Sequence, residues 1–133
     1  MAKKVVVIME KSSDGYFSCY VDEDLNGFGL AGYGDTAQQA REDMLTAYEE
    51  IKSMRCEEGK KTPSLTFEYK YDMQSFFNYF SYLNSSKIAE RAGINSSLLR
   101  QYISGIKKAR QTQYERLAVA IREVAKELSA ATL

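Results

Sequence analysis

The chain has 133 residues, 44% of them hydrophobic, with one proline, two cysteines and no histidine. That is enough for one ordinary domain or two very small ones with a real core. It excludes Ser-His and Cys-His nucleophiles, and with only Cys19 and Cys56, neither in a C-x-x-C, it excludes a four-ligand zinc site.

The net charge of zero hides a split. Residues 84–133 carry nine Lys/Arg against four Asp/Glu, net +5; residues 1–83 carry nine against fourteen, net −5. Such asymmetry is expected when one end of a chain meets nucleic acid. The apolar run at residues 5–9 is far short of the ~20 residues of a membrane helix, and no small-residue cleavage site follows it. The expectation is a cytoplasmic protein with both thiols reduced and mostly buried.

Residues 4–10 are apolar and β-branched and predict a first strand. Ser12-Ser13-Asp14-Gly15 is a turn cluster, and residues 16–21 alternate, with Phe17, Cys19 and Val21 on one face and Tyr16, Ser18 and Tyr20 on the other. Strand, glycine-bearing turn and strand make a hairpin. Residues 28–33 predict a short third strand. A helix follows Gly34, capped by Asp35 or Thr36. Ala37, Ala40, Met44, Ala47, Tyr48 and Ile51 give it one apolar face. Gly59 is its stop, and residues 64–71 alternate as a fourth strand. From residue 72 the pattern is helical throughout, with a first stripe at Phe76, Phe77, Phe80 and Leu83. The expected fold class is α+β: a β-β-β-α-β module over residues 1–71, then an all-α domain over residues 72–133.

Gly27-Phe28-Gly29-Leu30-Ala31-Gly32 spells G-x-G-x-x-G, the letters of a dinucleotide-binding turn. In that fold the glycines close the first strand and open the first helix, with an acidic residue ~20 positions on at a strand end. Here two strands come first, Tyr33-Gly34-Asp35 separates Gly32 from the helix, and Lys52 occupies the acidic position. The context predicts no cofactor, and turn or strand-entry roles for Gly27 and Gly29. Acidic residues for metal-assisted phosphodiester chemistry are scattered at Glu10, Glu42, Asp43 and Glu68, and Asp22-Glu23-Asp24 sits in a turn. Neither catalysis nor a metal site is expected from them.

The most specific stretch is SSKIAERAGINSSLLRQYISG, residues 85–105. A helix-turn-helix needs a small residue in its first helix, a glycine at the turn and apolar anchors on both helices. Ala89, Gly93 and Ile94 fill the first positions, with Ile88, Ala92, Leu99, Tyr102 and Ile103 as packing residues; Asn95 or Ser96 caps the second helix. The start of that helix enters the major groove of DNA. Its outward residues are Ser96, Ser97, Arg100 and Gln101, with Asn95 at the cap. Arg suits guanine and Gln suits adenine through paired hydrogen bonds. Lys107, Lys108 and Arg110 follow at once and suit phosphates. Thr112 and Glu115 spell a capping box for a last helix, striped by Leu117, Ile121, Val124 and Leu128. A domain this small favours a dimer or higher even oligomer on a pseudo-palindromic double-stranded operator.

Together the two halves resemble the HicB antitoxin family. The resemblance rests on Asp14-Gly15-Tyr16, on Asp24-Leu25-Asn26-Gly27-Phe28 (the family commonly has proline where Asn26 stands), on Gly34-Asp35-Thr36 opening an Ala-rich helix, and on the helix-turn-helix behind them. It implies a partial ribonuclease-H-like module that covers a small HicA-type mRNA-cleaving toxin, and a phage-repressor-like domain that represses its own operon. The alternative is a stand-alone dimeric transcription regulator with no toxin partner.

Overall fold

The computed structural model describes residues 2–133. The class is α+β, a four-stranded mixed sheet with five helices among the described residues. The elements are β1 (Lys3–Lys11), β2 (Phe17–Val21), β3 (Ala31–Gly34), α1 (Ala37–Glu57), β4 (Leu65–Tyr71), α2 (Met73–Tyr79), α3 (Ser85–Ala92), α4 (Ser96–Ser104) and α5 (Gln111–Ala130). They form two compact units, one ending at Tyr79 and the other spanning Phe80–Leu133.

In the first unit the sheet order is β3-β2-β1-β4. β1 pairs antiparallel with β2 and parallel with β4. The β1–β2 hairpin turns through Gly15, at φ 91°. One face of the sheet presents Val5, Val7 and Met9 of β1 and Phe17, Cys19 and Val21 of β2, and α1 buries them with Ala37, Ala40, Met44 and Tyr48. Burying this set supplies the main driving force for the unit, at about 25 cal/mol per Å² of apolar surface. Thr36, not Asp35, caps α1: its hydroxyl accepts from the Gln39 amide at 3.1 Å. The helix ends at Glu57 and Gly59 follows at φ 73°, the left-handed exit that favours glycine.

The class change at residue 72 is not the boundary between the units. α2 belongs to the first one. Asp72 accepts from the Lys11 amide at 3.1 Å, the buried Ser75 hydroxyl donates to the Met9 carbonyl at 3.0 Å, and Asn78 Oδ1 accepts from the Ala37 amide at 2.9 Å. These bonds link residues far apart in sequence, so the local pattern carried no sign of them. Arg41 completes the attachment, 4.0 Å over the Tyr69 ring and donating to the Tyr79 hydroxyl at 3.0 Å.

The expectation of two buried thiols holds for Cys19 alone, since Cys56 is exposed on the last turn of α1. β3 begins at Ala31, three residues later than the sequence pattern suggested. The glycines of the G-x-G-x-x-G spelling are spread over three settings. Gly27 turns at φ 91°, Gly29 has open space around it, and Gly32 lies within β3 beneath α1. None of them stands at the start of α1.

Candidate nucleic-acid interface

In the second unit α3 is capped by Asn84, whose Oδ1 accepts from the Lys87 amide at 3.2 Å. The helix stops at Gly93, at φ 70°. The Ile94 amide reaches back to the Ala89 carbonyl at 3.0 Å and the Gly93 amide to Glu90 at 3.2 Å. That pair of bonds is the Schellman closure, and glycine adopts its left-handed residue without steric cost. Asn95 then caps α4, its Oδ1 accepting from the Ser97 and Leu98 amides at 2.9 and 3.2 Å. Two short helices are thus joined by Gly93, Ile94 and Asn95.

Ile88, Ala89, Ile94, Leu99, Tyr102, Leu117 and Ala120 are buried and form the core of this unit. Ala89 is fully enclosed, so a larger side chain there would push the helices apart. Ala92 and Ile103 are half-buried. α5 begins at Gln111 with Arg110 at its N-cap and no side-chain cap bond. The Thr112–Glu115 capping box therefore does not form, because Thr112 falls inside the helix, two residues past the cap position held by Arg110. Along α5, Leu117 is buried, Ile121 and Val124 are half-buried and Leu128 is exposed, so the stripe fades toward its end.

The sequence-derived DNA contacts divide into groups. Ser97 and Arg100 are exposed on one side of α4, and the Arg100 guanidinium donates to the Ser97 hydroxyl at 3.1 Å. Lys107, Lys108 and Arg110 are exposed just beyond α4. That segment leaves α4 through Gly105, at φ 84°, and is tied back by the Lys107 amide to the Gln101 carbonyl at 3.2 Å. Among the described residues, none of these four cations forms a salt bridge, and neither do Arg116, Arg122 and Lys126.

Three residues fit their expected role less well. The Asn95 carbonyl oxygen is occupied by the cap, so only its amide N–H groups remain to donate. Ser96 is half-buried in the first turn. Gln101 is half-buried and its Oε1 is enclosed without a hydrogen-bond partner. A paired contact to adenine needs that oxygen in the groove, so Gln101 is turned the wrong way for it. Three features were not singled out in the sequence. Asn84 carries a cap preference that could have found it, Gly105 a stop signal, and Ile106, 76% exposed in the basic segment, none.

Two cations of the unit are committed elsewhere. Lys87 pairs with Glu90 along α3 at 3.5 Å. Arg91 grips both oxygens of Glu127 and links α3 to α5. The hydrogen bond and the charge of Arg91 hold the Glu127 carboxyl below its usual range, and Glu127 raises Arg91 in return. Both are on the surface, so the pair adds little stability.

The scattered carboxylates of the first unit do not converge. Glu10 and Glu68 lie on the face of the sheet away from α1, and Glu68 pairs with Lys4 at 3.1 Å. Asp43 is on α1, where it accepts from the Tyr33 amide at 3.0 Å. Among the described residues no group of three His, Cys, Asp or Glu side chains is placed to hold a metal ion. No helix is long and apolar enough to cross a membrane. Comparison with protein families, curated proteins and solved structures returns no match to this chain.

Proposed function

We propose that the chain is a DNA-binding antitoxin of the HicB type. The second unit reads the operator of its own operon through a helix-turn-helix of the phage-repressor kind, α3–α4. The first, a partial ribonuclease-H-like module, covers a HicA-type mRNA-cleaving toxin. The single observation that carries the DNA half is the set Ser97, Arg100, Lys107, Lys108 and Arg110. These are exposed side chains at and just past a capped helix, and among the described residues the four cations of the set form no salt bridge. On this reading Arg100 meets a guanine edge and the cations behind it meet phosphates. The toxin half rests on the order β1-β2-β3-α1-β4, on Gly34-Asp35-Thr36 at the start of α1, and on the acidic balance of the first unit, which suits a basic, RNA-binding partner.

The test has two arms. Purified protein is titrated onto the DNA upstream of its own reading frame at several salt concentrations, and it is co-expressed with the product of the adjacent frame for pull-down. Specific, salt-sensitive DNA binding together with capture of a short basic protein supports the proposal. DNA binding without such a partner assigns the chain to stand-alone regulators instead, and no preference for that DNA over random sequence removes the repressor role.

A further inference from the structure

Within the first unit α1 covers one face of the sheet, and none of the described helices of that unit covers the other. The bare face is not polar. β1 reads Lys4, Val6, Ile8, Glu10 along it, with Val6 44% exposed and Ile8 half-buried. Beside Ile8 stand Tyr20 on β2 and Lys70 on β4; beside Val6 stands Glu68. Tyr33 on β3 is 68% exposed. β1 is thus apolar on both sides, and it pairs in parallel with β4. Parallel pairs and doubly apolar strands belong to sheets covered on both faces.

We infer that this bare face is where two copies of the chain meet, sheet on sheet, about a two-fold axis that crosses β1 at Val7 and runs perpendicular to the strands. Such an axis turns each strand end for end. The strand registers then fix what lies over what. Val6 of one copy lies over Ile8 of the other, Glu10 over Lys4, and Lys70 over Glu68. On β1 and β4 each charge faces its opposite, and on β1 Val6 and Ile8 face one another. This is the self-complementarity an isologous contact requires.

The other occupants fit less well. The face carries Lys4 and Lys70 against Glu10 and Glu68, so it lacks the positive footprint a nucleic acid demands. Its balanced charge likewise gives no pull to a strongly basic or acidic partner. Its size suits a second sheet. Four strands at about 4.8 Å and seven residues at about 3.3 Å give a projected face of roughly 19 by 23 Å. Two such faces bring together about 900 Å² in projection, and the accessible area of their side chains is larger, which reaches the size of a specific interface. Facing sheets pack about 10 Å apart, with strands within about 30° of alignment. This inference concerns the first unit alone and does not depend on the DNA reading.

The experiment is light scattering after gel filtration on the full chain at tens of micromolar, without DNA. The parent protein is expected at twice the 15.1 kDa chain mass. Val6→Glu, which places an unpaired carboxylate against Ile8 of the second copy, is expected to raise the dimer dissociation constant about 100-fold or more. Glu10→Lys sets like charges against each other and is expected to weaken the dimer less, with a deficit that shrinks as salt screens it. Glu10 is exposed, so this second variant keeps the test decisive if Val6→Glu does not fold. A monomeric parent overturns the inference and leaves the face to a different partner. A dimer that survives folded Val6→Glu, or that ignores Glu10→Lys at low salt, overturns it too, by placing the contact elsewhere.

Discussion

Gly32 and Ala40 are in backbone contact where β3 passes beneath α1. A Cβ on Gly32 would stand 2.2 Å from the Ala40 carbonyl oxygen and 2.5 Å from the Met44 amide nitrogen. Backbone atoms of a packed helix cannot step aside as a side chain tip can. Gly32→Ala is therefore expected to lift α1 off the sheet at a cost of about 3 kcal/mol or more, the upper end for overpacking. Gly29 has nothing within 4 Å and no left-handed φ. Gly29→Ala is expected to be neutral or to stabilise by about 0.4–1 kcal/mol through the unfolded chain. Urea unfolding midpoints of the two variants decide the matter. Equal midpoints would mean that the strand–helix spacing relaxes freely.

The same glycine shows what the sequence could convey. The alternation of Phe17, Cys19 and Val21, the apolar run of β1, the 3–4 spacing along α1 and the Ala89–Gly93–Leu99 spacing each state a local period, and each element formed where its period placed it. What the sequence withheld was contact at a distance. Gly32 carries the letters of a phosphate turn that its context had already set aside, but its close approach to Ala40 and Met44 on the next element had no local sign. α2 looked like the start of a helical domain because Ser75 and Asn78 meet Met9 and Ala37 only after folding. At the candidate interface, Ser97 and Arg100 were legible as outward residues, whereas the inward turn of Gln101 depends on packing that helical periodicity does not specify. Thr112 and Glu115 had the letters of a capping box, but the helix starts two residues too early for them.

The two thiols are expected to react at very different rates. Cys19 is buried and donates its S–H to the Ala40 carbonyl at 3.2 Å. Burial, reinforced by the nearby Asp43, pushes its thiol up to about 11. A disulfide reagent at pH 8 should modify one cysteine per native chain, Cys56, and reach Cys19 at least about 100-fold more slowly, by way of opening. Two fast thiols would mean the strand–helix layer is loose. The raised thiol also sets a direction with pH. The folded state keeps this proton longer than the unfolded chain, whose thiol titrates near 9.0. Stability is full below that value and is lost as pH rises toward 11. Tyr69 and Tyr71, raised by burial against the opposing charge of Arg41, act in the same direction. Melting temperature should therefore fall on the alkaline side from about pH 9.

Variants of α4 and of the segment behind it are expected to separate base reading from phosphate holding. Arg100→Ala should weaken operator binding by about 1–3 kcal/mol and relax sequence choice, because a base edge loses its donor pair. Lys107→Ala should weaken all sequences alike and lower the salt slope by about 1, because only a phosphate contact is lost. Asn95→Ala should act through the fold, costing about 1 kcal/mol of stability with its cap. Gln101→Ala should leave sequence choice unchanged, since its Oε1 is already enclosed. Fluorescence anisotropy on operator and scrambled duplexes at several salt concentrations distinguishes these outcomes. If Arg100→Ala and Lys107→Ala both bind as the parent does, DNA lies on some other surface. If Gln101→Ala alone changes sequence choice, the α4 side chains rearrange on binding and the free chain does not display the reading surface.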